Sequence, residues 1–285
     1  MSAKAVVADE HPDRRLKGGV MKISITIYSL AQYFSAKKMT VKEFIEYAGR
    51  VGFKGVDLGY YWEDKKREFT ELPAWLNDNN IALSGYIVGN NFGAVVGTGK
   101  VREEIAKVKL AIDEANQLGA KVLRVFAGGR KGLSWGEGSN LICDCLAECT
   151  EYGKQNKIIL ALEDHGGLAA TSKQVLFYLN KINSPFLKAN VDIGNFWSYG
   201  EEPSKGVKNT ASYAAMVHVK DLKKKEDGLL AVPVGEGDIN FQECFKILKD
   251  SGYDGYLSLE YEAKEDAKIG IEKSIKHIKK CLNEL

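Results

Sequence analysis

Four residues able to bind a cation or carry a proton recur through the C-terminal half of the chain, each at or near the end of an apolar run. Glu163 closes Ile-Ile-Leu-Ala-Leu, and Asp192 closes Leu-Lys-Ala-Asn-Val. His218 follows Met216-Val217, and Glu260 closes Tyr-Leu-Ser-Leu. Three carboxylates and one imidazole form a hard, oxygen-rich donor set. Such a set suits one divalent cation, Mn²⁺ or Mg²⁺ first, with Co²⁺ and Zn²⁺ as further fits. A structural zinc would instead call for thiolates and several histidines. A carboxylate that holds a cation can also take a proton from carbon when the cation polarises the neighbouring carbonyl and hydroxyl oxygens. Glu163 and Glu260 are therefore candidates for both jobs, one removing a proton and the other returning it. Asp192 and His218 are candidate ligands alone.

Further side chains lie where they could serve such a centre. Arg124 and Lys220 could supply positive charge to a developing enediolate, or simply pair with the acids. His165, just past Glu163, could contact a substrate hydroxyl or orient Glu163. Tyr28, Tyr86, Trp62 and Trp197 stand at or soon after strand ends, where aromatic faces stack on sugar rings and also serve as packing. Glu236, in Val-Gly-Glu-Gly-Asp-Ile, reads as a loop anchor that could reach the site.

The elements that must position these residues alternate in type from Met21 onward. Strand-like runs fall at 23–28, 55–60, 81–88, 121–127, 158–163, 187–192, 216–221 and 256–260. Helix-like runs lie between them near 40–51, 70–79, 100–118, 139–155, 171–181, 241–251 and 265–281. Thr40 with Glu43 reads as a capping box, and Gly119 as a C-cap. Segment 193–214 reads as loop-rich with weak helical character, and 222–239 as a charged excursion. Eight strands with crossover helices indicate an α/β protein, a single (β/α)8 TIM barrel over 21–285. A doubly wound open sheet would carry a phosphate-binding glycine fingerprint after the first strand. Ser-Leu-Ala-Gln-Tyr stands there instead.

Side-chain parity tests the barrel internally. Ser24, Thr26 and Tyr28 share one face of the first strand, and Ser84 with Tyr86 one face of the third. Asp57, Arg124, Asn190 with Asp192, Met216 with His218 and Lys220, and Tyr256 with Ser258 and Glu260 share faces in the others. The opposite faces are aliphatic. An interior that turns polar toward the strand ends predicts a site there, because a purely structural barrel interior carries branched aliphatics.

Composition excludes several other roles. The chain has 285 residues, is 45% hydrophobic, and balances 40 basic against 38 acidic residues for a formal charge of +2. That balance offers no footprint for nucleic acid or an acidic membrane surface, and no apolar run is long enough to span a bilayer. The five cysteines have no paired spacing; buried thiols in a reducing cytosol are the expectation, and the protein is expected to be cytoplasmic. Residues 1–20 are polar and without apolar period, and read as an N-terminal extension, disordered or not native, with Met21 as the natural start. Neither start reads as a convincing signal peptide, and none is expected.

The motifs Ala-Leu-Glu163-Asp-His165-Gly-Gly, Asn-Val-Asp192-Ile-Gly-Asn195, His218-Val-Lys220-Asp221, Val-Gly-Glu236-Gly-Asp238-Ile and Tyr-Leu-Ser-Leu-Glu260 resemble those of the xylose isomerase-like barrel superfamily, in its sugar phosphate isomerase/epimerase branch. The resemblance covers about 21–285. It implies that Glu163, Asp192, His218 and Glu260 bind the metal and that Glu163 and Glu260 are also the acid/base pair. It implies a small sugar or sugar phosphate as partner, and homo-oligomers of the kind common in such families. Ketose 3-epimerases of the superfamily typically carry histidine where Asn195 stands, which departs from that subgroup and leaves Asn195 as a substrate-binding candidate. The multi-metal nucleases of the superfamily need more histidine than the four present here. Three activities stay open: an isomerase or epimerase working through an enediolate, a lyase or dehydratase acting on a keto-sugar or inosose through the same proton abstraction, and a non-catalytic carbohydrate-binding barrel.

Overall fold

Short β-branched and leucine-rich runs punctuated by glycine become strands, and the longer amphipathic runs between them become helices. The computed structural model describes residues 19–285, so the expectation about an extension over 1–20 falls almost wholly outside the described residues. The barrel strands are β1 (Lys22–Thr26), β2 (Gly55–Leu58), β3 (Ala82–Ile87), β4 (Val122–Phe126), β5 (Ile159–Glu163), β6 (Leu187–Asp192), β7 (Ala214–Val219) and β10 (Tyr256–Leu259). All pair in parallel and close in the order β1-β10-β7-β6-β5-β4-β3-β2. Crossover helices cover the outside: α1 (Ala31–Ser35), α2 (Val41–Val51), α3 (Lys65–Asp78), α4 (Val101–Gln117), α5 (Trp135–Gln155), α6 (Ser172–Ile182), α9 (Phe241–Asp250) and α10 (Ala267–Asn283). The (β/α)8 expectation holds.

Local signals act where they were read. Thr40 and Glu43 form a reciprocal capping box on α2, and Gly119 ends the α4 segment at φ 78°. The apolar stripe of α2, Val41, Phe44, Ile45 and Ala48, is sealed against the barrel. Each large side chain so buried contributes roughly 1.5–3 kcal/mol. The outward faces of the strands pack under these helices: Val56, Leu123, Val125, Leu160, Leu162, Val191, Val217, Val219, Leu257 and Leu259 are all inaccessible to solvent.

Two regions differ from the sequence reading. The excursion after the seventh barrel strand contains an antiparallel hairpin, β8 (Asp221–Lys225) with β9 (Gly228–Val232), outside the barrel sheet. The segment after β6 holds two short helices, α7 (Ile193–Ser198) and α8 (Pro203–Thr210).

Register shifts in two places, between Ala189 and Asn190 in the β6–β7 pairing and in the β2–β3 pairing. The β2–β3 register shifts between Val56 and Asp57, so that Val56 lies against Leu83 but Asp57 against Gly85. The extra residue turns both Ser84 and Gly85 inward. Ser84 Oγ donates to Asp57 Oδ1 at 2.7 Å. A Cβ on Gly85 would stand 2.8 Å from Met216 Cε and 3.0 Å from Asp57 Oδ1, so a larger residue there would push the Met216 side chain aside. Tyr86 is consequently turned away from the barrel mouth, and its hydroxyl donates to Glu114 of α4 at 2.8 Å.

Candidate metal and proton-transfer centre

The C-terminal ends of β5, β6, β7 and β10 are neighbours in the closed sheet, so their last inward residues meet. Glu163, Asp192, His218 and Glu260 each place one ligand atom within 4.8 Å of the others, and all four are buried. His218 is fully enclosed, and neither ring nitrogen has a hydrogen-bond partner. Its Nδ1 lies 3.5 Å from Glu163 Oε2 and 3.8 Å from Glu260 Oε2. A buried imidazole without a partner is costly and needs an explanation. A cation at the common focus of the three acids would give it one. The donor set fits a divalent ion.

Each ligand candidate is held by its surroundings. Asp192 caps α7: its Oδ1 accepts from the amides of Gly194 at 3.0 Å and Asn195 at 3.1 Å. That turn needs glycine at 194, where a Cβ would come 2.7 Å from the Lys220 carbonyl oxygen. The Asp192 amide in turn donates to Asp164 Oδ1 at 2.8 Å. Glu163 is gripped from three sides. Asn190 donates to its Oε2 at 2.8 Å, Asn195 donates to its Oε1 at 3.3 Å, and Arg124 Nε stands 3.2 Å from Oε2. Arg124 is itself fixed by a bond to the Val88 carbonyl at 3.2 Å and by lying 3.9 Å over the Phe126 ring. Lys220 Nζ reaches Glu260 at 2.9 Å, Glu262 at 3.1 Å and Asp192 at 3.3 Å, and donates to Asn195 Oδ1 at 3.2 Å.

Charge here is set by burial against neighbours. Burial alone would depress Lys220, but Asp192, Glu260 and Glu262 outweigh it and hold the ammonium well above the ordinary lysine range. Burial would raise Glu260, yet Lys220, His218 and Arg124 bring its carboxyl well below the usual carboxylate value. Burial pushes Asp164 and Asp192 up, and Asp192 adds to the rise at Asp164. Burial also lowers His218 and His165 from the usual imidazole value.

Above the cluster a cavity of about 480 Å³ is lined by Tyr28, Tyr60, Tyr61, Arg124, Phe126, His165, Glu260 and Glu262. A second cavity, about 610 Å³, shares Phe126 and His165 and continues over the glycine-rich turns to Asn91, Gly129 and Arg130. His165 rests against the Phe126 ring at 4.2 Å between centroids. Of the residues expected at the mouth, Glu163, Asp192, His218, Glu260, Lys220, Asn195, Arg124, His165 and Tyr28 come together. Four do not. Tyr86 is turned to the helix layer by the β2–β3 irregularity. Trp62 packs edge-on against Phe69 at 5.0 Å. Trp197 lines a separate groove beside the β8–β9 hairpin. Glu236 sits on the surface, paired with Lys273 at 3.1 Å.

Other members of the mouth went unread in the sequence. Phe126 shares parity with Arg124, so alternation could have placed it, as it places Asn190 with Asp192. Asp164 is masked by its neighbour Glu163. Tyr60, Tyr61 and Glu262 lie just past strand ends, where alternation no longer gives direction.

Fold and site together define the class: a closed (β/α)8 barrel with Glu, Asp, His and Glu at four consecutive strand ends. The chain belongs to the xylose isomerase-like TIM barrel family, whose sequence profile matches residues 45–281. Among curated proteins it is similar to L-ribulose-5-phosphate 3-epimerase UlaE of Escherichia coli (strain K12), with 32% identity over 136 residues. That alignment spans 46% of this chain and 46% of the relative, about half the length of each. Among solved structures, the IOLI protein with a binding zinc atom superposes with a TM-score of 0.78 at 17% identity, over 93% of this chain and 99% of that one. A D-tagatose 3-epimerase-like protein gives a TM-score of 0.75 at 21% identity, over 93% and 99%. These structural likenesses establish the fold.

Proposed function

We propose that the protein is a divalent-metal-dependent isomerase or epimerase of a ketose or ketose phosphate, acting by proton transfer next to a carbonyl. The observation that carries this reading is the placement of two buried carboxylates, Glu163 and Glu260, within 4.8 Å of one another's ligand atoms and of Asp192 and His218. Glu163, Asp192, His218 and Glu260 would hold the cation. Bound there, a divalent ion supplies Lewis acidity, making the hydrogen beside a substrate carbonyl more acidic and the enediolate less costly. The names of the curated relatives, ribulose-phosphate 3-epimerases, support the same substrate class.

The chain's own groups complete the reaction. One of the two glutamates accepts the α-proton, and the pair of electrons from that C–H bond forms the enediolate double bond. The other glutamate, having taken up a proton from solvent, donates it to the carbon, for epimerisation from the opposite face. Arg124, fixed against Phe126 and Glu163, and the Lys220 ammonium oppose the negative charge that develops on oxygen. Tyr28, Tyr60, Tyr61 and Phe126 wall the cavity with aromatic faces suited to a sugar. The second cavity, toward Gly129 and Arg130, has room for the far end of a ketose, including a phosphate opposite the Arg130 side chain.

A dehydratase or lyase would share the proton abstraction but expel a hydroxyl from the adjacent carbon. The buried Lys220 ammonium, 2.9 Å from Glu260, offers a proton for such a leaving group. The two reactions separate in heavy water. Incubation of the Mn²⁺-loaded protein with ketoses and their 5-phosphates should wash deuterium into the carbon beside the carbonyl and yield an isomer of equal mass apart from the label. Glu260→Gln should lower turnover by about 10²–10⁴-fold, the usual weight of a general acid or base. A dehydrated product would favour the lyase. Binding with neither exchange nor product across ketoses, inososes and keto-glycosides would leave a sugar-binding barrel and sink the isomerase.

A further inference from the structure

Alongside Arg124 on Glu163, Lys220 lies against the candidate ligand set. Its ammonium contacts four oxygens, and they divide into two kinds. Glu260 Oε2 at 2.9 Å and Asp192 Oδ2 at 3.3 Å belong to the candidate ligand set. Glu262 Oε2 at 3.1 Å and Asn195 Oδ1 at 3.2 Å do not. We propose that Lys220 is a movable counter-ion for the metal centre, and that Glu262 is the carboxylate that receives its charge when a divalent ion takes Asp192 and Glu260. The inference rests on the metal reading of the cluster given above.

The geometry forces a competition. Oxygens that lie on an ammonium cannot give their full charge to a second cation a few ångströms away, and the two cations repel through a poorly screened interior. Of the two buried cations, only Lys220 can yield. Arg124 is pinned by the Val88 carbonyl, the Phe126 face and Glu163. Lys220 is a point charge on a flexible four-carbon stem, whose donors can turn from one oxygen to another. Glu262 suits the receiving role because its side chain keeps 34% of its accessible surface, against 8% for Glu260. A lysine drawn toward it therefore stays paired while regaining some water. Asn195 stands between the two arrangements, since it bonds Glu163 through its amide nitrogen and Lys220 through its oxygen.

Two opposed consequences follow for Lys220 and a single one for Glu262. Removing the ammonium leaves Asp192, Glu163 and Glu260 facing one another with less neutralising charge, so the protein without cation is weakened. The same removal takes away a competitor, so cation binding tightens. Removing the Glu262 charge deprives the displaced lysine of its partner, so cation binding weakens, but only while Lys220 is present.

Isothermal titration of chelator-stripped protein with Mn²⁺ tests this directly, with melting curves in chelator alongside. The variants are Lys220→Met, Glu262→Gln and the two together. We expect Lys220→Met to bind Mn²⁺ at least about tenfold more tightly than the parent while melting lower in chelator. Glu262→Gln should bind several-fold more weakly, and the double variant should match Lys220→Met. An unchanged or weaker Kd in Lys220→Met overturns the proposal. So does a Glu262→Gln penalty that persists at full size when Lys220 is gone, since Glu262 would then act through its own charge alone. Should Lys220→Met fail to fold, an unaltered Mn²⁺ affinity in Glu262→Gln overturns it by itself. If the parent titrates Mn²⁺ normally, these outcomes bear on the counter-ion alone. If no form of the protein takes up Mn²⁺, the metal reading falls and this inference with it.

Discussion

Glu260 and Asp57 are both enclosed in the same barrel, yet their surroundings drive them in opposite directions. Glu260 ends β10 at the mouth, where Lys220, His218 and Arg124 overcome the effect of burial and hold its carboxyl well below the ordinary range. Asp57 lies below it, taking hydrogen bonds from Ser84 and from Ser258, the residue two places before Glu260. Burial dominates there; the two hydroxyls and distant Arg124 only partly offset it, and Asp57 is pushed up to about 6. Enclosure alone therefore does not decide whether an interior acid is charged. For this pair the nearest cation decides it: Lys220 lies 2.9 Å from Glu260, whereas Asp57 is held by two hydroxyls.

The largest test of this contrast is the stability of Asp57→Asn against pH. The folded value, about 6, lies above the 3.8 of a free aspartate. The folded state thus holds the proton more tightly than the unfolded chain. Asp57 contributes its full stability below about pH 4 and loses it as pH rises through about 6. The difference amounts to roughly 3 kcal/mol. Asparagine cannot ionise, so relative to the parent, Asp57→Asn should gain roughly 3 kcal/mol on going from pH 4 to pH 7.5. Urea unfolding at the two pH values reads it. Parallel curves for the two proteins would mean that the lower layer keeps its charge as the mouth does.

The smallest effect is expected at the surface. Glu236 shares a motif with residues near the mouth but pairs with Lys273 in the open, where ion pairs contribute under about 1 kcal/mol. Glu236→Ala should therefore change the melting point by only a degree or two and leave turnover intact. A large loss of turnover would return Glu236 to the site.

What could be read in the chain and what could not divides along the range of the interactions. Strand ends, the Thr40–Glu43 cap and the parity of Arg124, Asp192, His218, Lys220 and Glu260 depend on neighbours two to four residues away, and alternation exposed them. Tyr86 was misplaced because the extra residue at Ser84 arises from how β2 and β3 pair, which no single strand records. The hairpin β8–β9 was read as a charged excursion although Asp227-Gly228 is a turn signal, because Lys223, Lys224, Lys225 and Glu226 conceal any apolar alternation. Glu262 lies beyond the last strand residue, where only the folded loop brings it to Lys220. The mouth was legible where strands build it and hidden where loops complete it.

The most direct measurement of the central claim is anomalous diffraction from crystals soaked in Mn²⁺, recorded at the manganese edge. The expected result is one strong peak at the barrel mouth, bonded by Glu163, Asp192, His218 and Glu260, that disappears in His218→Ala crystals. A fully soaked crystal with no peak among these four residues, or with its peak elsewhere, would contradict the metal centre on which the proposed chemistry stands.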